Sequence, residues 1–213
     1  MDSRELTSLL AEHRLLAIIR GSDPAACRRT AEVLVESGVR LLEVSLTSAD
    51  ALGVLSGISA TLGAEAHIGA GTVLTAEDAR NARAAGATFA VTPALADGTT
   101  TAVELGMPVL AGAMTPTEVL TADRAGAAAV KLFPAGGLGP GYVKALRDPF
   151  PGLHFVPVGG IGLADVSGYL RAGALAVGIG SPLSGDAPHG GDLGALRARA
   201  EEFVAAAGEG SGT

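Results

Sequence analysis

Short apolar runs alternate with amphipathic, alanine-rich segments along the chain, and each run has a length typical of a buried strand. The runs predict strands at Leu15–Arg20, Leu41–Leu46, His67–Val73, Phe89–Pro93, Pro108–Met114, Ala129–Phe133, His154–Val158 and Ala176–Gly180. Strands that are apolar on both faces are typical of parallel sheets covered by helices. The pattern therefore predicts an α/β fold.

The segments between these strands carry signals for the start and end of helices. Asp23 and Pro24 predict an N-cap and first turn for a helix over Pro24–Ser37. Similar start signals occur at Thr75 and at Thr115. Glycines follow most of the predicted helices, where a left-handed C-cap ends a helix, at intervals of about 20 residues or a multiple. This spacing indicates a repeated strand–helix unit.

Eight such units predict a single-domain (β/α)8 TIM barrel over residues 1–207. The last predicted helix, Leu193–Ala207, would complete the outer ring of helices. An open, doubly wound parallel sheet is the alternative architecture. The end of the chain, residues 208–213, is rich in glycine and predicts a disordered tail.

Composition and charge narrow the class of protein. The chain has 213 residues, of which 48% are hydrophobic, and a net charge of −7 without a basic patch, so nucleic acid is not an expected partner. No apolar run reaches the roughly 18–20 residues of a membrane span, and the N-terminus lacks the pattern of a secretory signal. The single Cys27 is expected to be a small buried helix residue and suits a reducing compartment. We therefore expect a cytoplasmic protein with no membrane partner.

Lys131 is one of only two lysines and lies inside the apolar run of residues 127–134. A buried ammonium is costly unless it is paired or neutralised. Burial favours the neutral amine, which can attack a carbonyl and form a Schiff base. The alternative is a lysine at a strand end whose ammonium reaches solvent.

Glu43 is a second charge within an otherwise apolar strand. By itself it could be a carboxylate paired with an arginine. In a barrel, however, catalytic side chains gather at the carboxyl ends of the strands. Glu43 and Lys131 together therefore predict a site in which a carboxylate moves protons around an imine.

Glycines mark the ends of the last two predicted strands, with Gly159-Gly160 at the end of the seventh and Gly180-Ser181 at the end of the eighth. Loops at these places in a barrel commonly bind phosphate through backbone N–H groups. Two tight turns without a ligand are the alternative.

The histidines do not predict a site. His13 and His189 are expected in polar terminal or loop segments, and His67 and His154 at the opposite end of the barrel. The chain has no histidine motif for a metal, no dinucleotide fingerprint and no P-loop. We therefore expect neither a metal nor a cofactor.

A series of motifs occurs in a recognisable order: Leu-Leu-Glu-Val-Ser-Leu, Ile-Gly-Ala-Gly-Thr-Val-Leu, Val-Thr-Pro, Val-Lys-Leu-Phe-Pro, Gly-Tyr-Val-Lys-Ala-Leu and Pro-Val-Gly-Gly-Ile. From about Leu15 to Ser181 the chain resembles the 2-keto-3-deoxy-6-phosphogluconate / 4-hydroxy-2-oxoglutarate aldolase family. The resemblance implies a class I aldolase that works without metal and usually assembles as a homotrimer. It also implies that Lys131 is the Schiff-base lysine and Glu43 the general acid/base.

The same resemblance implies roles for the remaining candidate site residues. Thr72 would contact the pyruvyl carboxylate, and Pro93 and Phe133 would wall the pocket. The phosphate positions would be Gly159, Gly160 and Ser181, to which we add Gly180 at the end of the last strand.

Two positions depart from the phosphogluconate branch of that family. Thr47 stands where this branch has a carboxylate-binding arginine, and Val158 stands where it has threonine. Both positions, and the Ile-Ile-Arg-Gly of the first strand, look like the phosphogalactonate branch, whereas Ser45 fits the phosphogluconate branch. We hypothesise that Arg20 supplies the missing cationic contact.

The expected reaction is cleavage of a 2-keto-3-deoxy-6-phospho sugar acid of the phosphogluconate type to pyruvate and glyceraldehyde 3-phosphate. The phosphogalactonate and 4-hydroxy-2-oxoglutarate compounds are alternative substrates. A phosphosugar isomerase or epimerase that uses Glu43 without an imine is a more distant alternative. A non-catalytic sugar-acid sensor would tolerate the loss of Lys131 and Glu43, both of which are present.

Overall fold

The computed structural model describes residues 1–208, which build a parallel eight-stranded sheet surrounded by helices. The strands are β1 (Leu15–Ile19), β2 (Leu41–Ser45), β3 (His67–Gly71), β4 (Phe89–Val91), β5 (Val109–Ala113), β6 (Ala129–Leu132), β7 (Phe155–Pro157) and β8 (Val177–Ile179). The helices are α1 (Ser3–His13), α2 (Pro24–Glu36), α3 (Ala51–Leu62), α4 (Ala76–Ala84), α5 (Asp97–Glu104), α6 (Pro116–Arg124), α7 (Pro140–Arg147), α8 (Val166–Arg171), α9 (Ser181–Ser184) and α10 (Leu193–Gly208). Two short 3-10 helices cover Leu163–Asp165 and Ala187–His189.

The strands follow one another around a barrel. Their order is β7-β6-β5-β4-β3-β2-β1-β8, and every pair is parallel. An isolated parallel bridge between Val158 and Gly178 joins the two edges beside β7 and β8. The predicted (β/α)8 TIM barrel is confirmed, and the open doubly wound sheet is wrong.

The predicted helix starts are confirmed, because side-chain caps satisfy backbone N–H groups at the first turn. The Asp23 carboxylate accepts hydrogen bonds from the backbone N–H groups of Ala25 and Ala26 at 2.8 and 3.0 Å. Thr75 forms a capping box with Asp78 at α4, and Thr115 does so at α6.

Several predicted strands run too far at their carboxyl ends. The prediction carried β1 to Arg20, β4 to Pro93 and β6 to Phe133, whereas these residues lie in the loops that follow the strands. A proline has no N–H for a sheet ladder, which ends β4 early. The other side chains lie where the chain turns from the barrel into the next helix.

Helix α1 was not predicted, and it closes the amino-terminal end of the barrel. Its side chains Leu6 and Leu10 are fully buried and belong to the same apolar cluster as Leu16, Leu41 and Phe89 inside the barrel. An Asp2 capping box fixes the start of the helix. As far as residues 1–208 show, the barrel is therefore open at the carboxyl ends of its strands and closed at the other end.

The inside of the barrel is a continuous apolar layer below the site. It is formed by Leu16, Ile18, Leu41, Phe89, Val91, Leu110, Ala129, Val156, Val158 and Ala176. Side chains alternate between the two faces of a strand. Glu43 therefore shares the inward face of β2 with Leu41, and Lys131 shares that of β6 with Ala129.

Among residues 1–208, no helix combines the length and apolar character needed to cross a membrane. Helix α10 includes Gly208, so the predicted tail begins one residue too early, and its remaining residues, 209–213, lie outside the described residues. Cys27 is buried in α2, as predicted.

Candidate active site

A cavity of about 340 Å³ lies at the carboxyl ends of the strands. Every candidate site residue from the sequence lines it: Arg20, Glu43, Thr72, Pro93, Lys131, Phe133, Gly159, Gly160, Gly180 and Ser181. These residues come from seven of the eight strands or the loops that follow them, and only β5 contributes none of them. The fold thus brings together in space the residues that the sequence separates.

Lys131 is buried near the end of β6, with only 5% of its surface exposed. Its strand neighbours, Gly112 on β5 and Val156 on β7, offer it no polar side chain. Its ammonium forms no ion pair with a residue in the described range, and Nζ lies 5.2 Å from the centre of the Phe133 ring. The burial contradicts a lysine that reaches solvent, and the amine is available to a ligand in the cavity.

Glu43 is the other buried charge of the cavity, and 1% of it is exposed. Burial raises the pKa of its carboxyl group above the ordinary 4.5, while the positive charges of Lys131 and Arg20 partly oppose the rise. Its Oε2 atom has no hydrogen-bond partner among the described residues, and no described arginine pairs with it. Buried oxygens are rarely left unpaired, so Oε2 is placed to interact with water or a ligand.

Two glycines of β3 leave room for side chains of the neighbouring strands, and one of these side chains is the Glu43 carboxylate. A Cβ atom at Gly71 would collide with the Glu43 carboxylate, and one at Gly69 would collide with the Phe89 ring. The Gly-Ala-Gly-Thr motif is therefore explained by packing inside the barrel. The next residue, Thr72, has a φ of 61°, in the left-handed region that a threonine rarely adopts.

Hydroxyl groups connect Thr72 with the ends of β1 and β2. Ser45 Oγ lies 3.0 Å from Thr72 Oγ1 and 2.8 Å from Thr47 Oγ1. Arg20 Nε donates a hydrogen bond to Ser45 Oγ at 3.4 Å. Arg20 lines the cavity, whereas Thr47 is not among its described lining residues. The cationic group on this side of the cavity is therefore Arg20.

The loop after β7 approaches a neighbouring backbone closely. Gly159 and Gly160 have φ values of 90° and 74°, which favour glycine. The backbone N–H of Gly136 donates to the carbonyl of Gly159 at 2.8 Å, and a Cβ atom at Gly136 would collide with the Gly160 carbonyl. The glycine pair is thus fixed against the loop after β6 and lines the cavity with backbone instead of side chains.

The cavity has further lining residues that were not predicted: Ile18, Val158, Ile161, Gly178, Pro182, Ser184, Gly185 and His189. His189 was expected in a polar terminal or loop segment, and no histidine was predicted to belong to the site. The loop after α9 returns to the ends of β1 and β8 and brings the His189 ring to the cavity. No local sequence signal predicts that return, whereas Ile18 and Val158 could have been found from their places near strand ends.

The chain was compared with known proteins. The family model described as KDPG and KHG aldolase matches residues 6–195. A probable 2-dehydro-3-deoxy-6-phosphogalactonate aldolase of Rhizobium meliloti (strain 1021) is 34% identical, over 85% of this chain and 87% of the relative. A 2-dehydro-3-deoxy-phosphogluconate aldolase of Pseudomonas aeruginosa is 35% identical, over 78% of this chain and 76% of the relative.

Solved structures agree with these matches. The native KDPGal structure has a TM-score of 0.86 and 33% identity, and the match covers 92% of this chain and 95% of that chain. A KDPG aldolase from Legionella pneumophila was solved with pyruvate captured as a covalent carbinolamine intermediate. It has a TM-score of 0.80 and 26% identity, and the match covers 97% of this chain and 98% of that chain. With matches of this extent in sequence and in fold, the chain belongs to the KDPG and KHG aldolase family of lyases.

Proposed function

We propose that this chain cleaves a 2-keto-3-deoxy-6-phospho sugar acid through a Schiff base on Lys131. The observation that carries the proposal is the Lys131 amine, which is buried, without an ion pair in the described range, and in the same cavity as Glu43. The Legionella relative with covalently captured pyruvate supports the same chemistry. An isomerase or epimerase would have no use for this amine, and the family match also speaks for the aldolase.

The proposed reaction begins when neutral Lys131 attacks the C2 carbonyl of the substrate. Loss of water gives an imine, which can accept the electrons of the bond that breaks. Glu43, acting through a water molecule, removes the proton of the C4 hydroxyl. The C3–C4 bond then breaks, the aldehyde leaves, and an enamine of pyruvate remains on Lys131. Protonation at C3 and hydrolysis release pyruvate and restore the amine.

The raised pKa of Glu43 suits this exchange of protons. A carboxyl group with a pKa nearer to neutral takes up and returns a proton more readily than an exposed glutamate. The unpaired Oε2 atom gives the bridging water a partner. The barrel provides this buried environment because Glu43 packs next to Gly71 of β3, which has no side chain.

Roles for the other cavity residues follow from their positions. The Thr72 hydroxyl and Arg20 are proposed to bind the substrate carboxylate, because a hydroxyl chain joins them on one side of Lys131. The backbone at Gly159, Gly160 and Gly180, with the Ser181 hydroxyl, is proposed to bind the phosphate. Pro93 and Phe133 wall the pocket.

The phosphogluconate-type acid, which would give pyruvate and glyceraldehyde 3-phosphate, is the first candidate substrate. The phosphogalactonate-type acid is the second, because Thr47 is turned to Ser45 and provides no cationic side chain. The relatives of this chain include aldolases named for each of these two acids, and both are about one third identical to it in sequence. The 4-hydroxy-2-oxoglutarate compound is a further alternative. A comparison of kcat/KM for the three acids decides among them.

Borohydride reduction in the presence of pyruvate tests the Schiff base. Mass measurement should find one reduced pyruvyl group per chain, located on Lys131. Lys131→Arg should abolish both the adduct and turnover, because a guanidinium does not deprotonate to form an imine. Lys144→Arg, at the other and exposed lysine, is the matched control and should retain both. An unmodified wild-type chain, or an adduct on Lys144, would refute the proposal.

We further propose that the protein acts as a cytoplasmic homotrimer, in sugar-acid breakdown of the Entner–Doudoroff type. Five large apolar side chains are exposed among the described residues, and three of them are Leu52, Leu74 and Met114. Leu74 and Met114 follow the carboxyl ends of β3 and β5, and Leu52 lies in the first turn of α3, which follows β2, so the three belong to neighbouring units of the barrel. Exposed apolar side chains grouped in this way support an interaction surface.

A further inference from the structure

The loop after α9, residues 185–191, reaches the cavity, although the proposed reaction assigns it no role. It contains the 3-10 helix Ala187–His189. His189 lines the cavity together with Gly180 and Ser181. A histidine at this place is a hydrogen-bonding group beside the proposed phosphate positions.

Packing against the start of α2 fixes the loop. Gly21 faces Pro188 so closely that a Cβ atom at Gly21 would collide with the Pro188 backbone and ring. The Cys27 thiol donates a hydrogen bond to the Pro188 carbonyl at 3.5 Å. Gly21 is itself held, because its N–H donates to Ser48 Oγ at 3.2 Å. The backbone next to His189 is thus positioned by two contacts from a distant part of the chain, and Ser48 in turn holds one of the contacting residues.

Hydrogen bonds from Ser22 orient the ring. The Ser22 backbone N–H donates to His189 Nδ1 at 3.3 Å, and the Ser22 hydroxyl lies 3.0 Å from the same nitrogen. A nitrogen that accepts from a backbone N–H carries no proton, so the proton of the neutral imidazole is on Nε2. Nε2 has no hydrogen-bond partner among the described residues, and it remains a donor for a ligand.

We propose that His189 determines specificity for the phosphorylated end of the substrate, with Nε2–H donating a hydrogen bond to the phosphate. This inference rests on the proposed aldolase function. The proposed reaction uses the cations of the cavity elsewhere, because Lys131 forms the imine and Arg20 binds the substrate carboxylate. An additional N–H donor next to Gly180 and Ser181 strengthens binding of an anion. A substrate without phosphate gains nothing from it.

The test compares His189→Asn with His189→Gln. The Asn amide oxygen can take the place of Nδ1 and keep the Ser22 contact, but nothing replaces Nε2–H. The Gln amide reaches the place of Nε2 and retains a donor. His189→Asn should raise KM for the 6-phosphorylated acid roughly tenfold or more, the loss expected for a hydrogen bond to a charged group, with kcat nearly unchanged. His189→Gln should recover most of that loss.

Two substrates without phosphate serve as internal controls. Cleavage of the unphosphorylated 2-keto-3-deoxy acid, and borohydride trapping of pyruvate, should be the same in His189→Asn and in the wild type. Equal losses for phosphorylated and unphosphorylated acids, an unchanged KM, or no recovery in His189→Gln would each overturn the inference. Failure of the wild type to trap pyruvate would instead refute the aldolase proposal, so the two failures are distinguishable.

Discussion

At the scale of single residues, Glu43 shows that the site opposes the stability of the fold. Burial raises the pKa of this carboxyl group, so the folded protein holds the proton more tightly than the unfolded chain does. The stability that Glu43 contributes is therefore complete below the ordinary pKa of 4.5 and is lost as the pH rises through the folded-state pKa. The proposed catalytic role of Glu43 would account for a group that is kept at this energetic cost.

Glu43→Gln removes this titration and predicts a change in the pH dependence of stability. The free energy of unfolding of the variant, relative to that of the wild type, should increase as the pH rises from 4.5 through the folded-state pKa, and then level off. Each unit of pKa elevation corresponds to about 1.4 kcal/mol of this difference. Urea unfolding at a series of pH values measures it. Glu32→Gln, at an exposed glutamate of α2, should show no comparable trend, and a flat difference for Glu43→Gln would refute the assignment.

The site residues differ in how well the sequence reveals them. Lys131 and Glu43 could be predicted because each is a charge within an apolar strand, where burial without function is costly. His189 could not, because its place depends on a loop that packs against Gly21 and accepts hydrogen bonds from Ser22. Such contacts join residues more than 160 positions apart, and no local pattern encodes them.

At the scale of elements, β3 shapes the site because its inward-facing residues are glycines. Its glycines leave the inward face of the strand without side chains, and the neighbouring strands β2 and β4 fill that space with Glu43 and Phe89. The strand is thus part of the site although only the residue after it, Thr72, lines the cavity.

Gly71→Ala should therefore inactivate the protein without removing any catalytic group. The added methyl group occupies the space of the Glu43 carboxylate and displaces it. A displacement of about 1 Å can cost on the order of 100-fold in rate, and we expect kcat to fall by that order. Pyruvate trapping on Lys131 should persist. Gly137→Ala, where the added atom meets nothing within 4 Å, is the control; equal activity of the two variants would contradict the explanation.

The elements themselves were largely predictable, with one instructive exception. Every strand of the barrel was found, because apolar runs bounded by caps and glycines mark buried parallel strands. Helix α1 was missed although Leu6 and Leu10 recur at helical spacing and Asp2 with Glu5 forms a capping box at its start. The helix precedes β1, so it lies outside the repeated strand–helix unit on which the prediction of helices rested.

At the scale of the whole molecule, the exposed apolar side chains lead to a prediction about assembly. Leu74→Arg should convert the proposed homotrimer, with three times the chain mass of 21.0 kDa, into single chains, because a charged side chain is costly in an apolar contact. Light scattering after size exclusion measures the mass. Leu163→Arg alters another exposed leucine, after β7 on the opposite side of the barrel, and should leave the assembly intact. A wild type that elutes as single chains would refute the trimer.

Closure of the barrel by α1 has a consequence for the order of kinetic events. Leu6 and Leu10 block the amino-terminal end, so reactant and products pass through a single mouth. In the proposed reaction the pyruvate fragment is covalently held on Lys131 at the base of that passage, and the aldehyde occupies its outer part. The aldehyde must then depart first, and pyruvate last. The reverse condensation has a compulsory sequence, with pyruvate entering before its partner, so that pyruvate competes with the sugar acid for the free protein and the aldehyde does not.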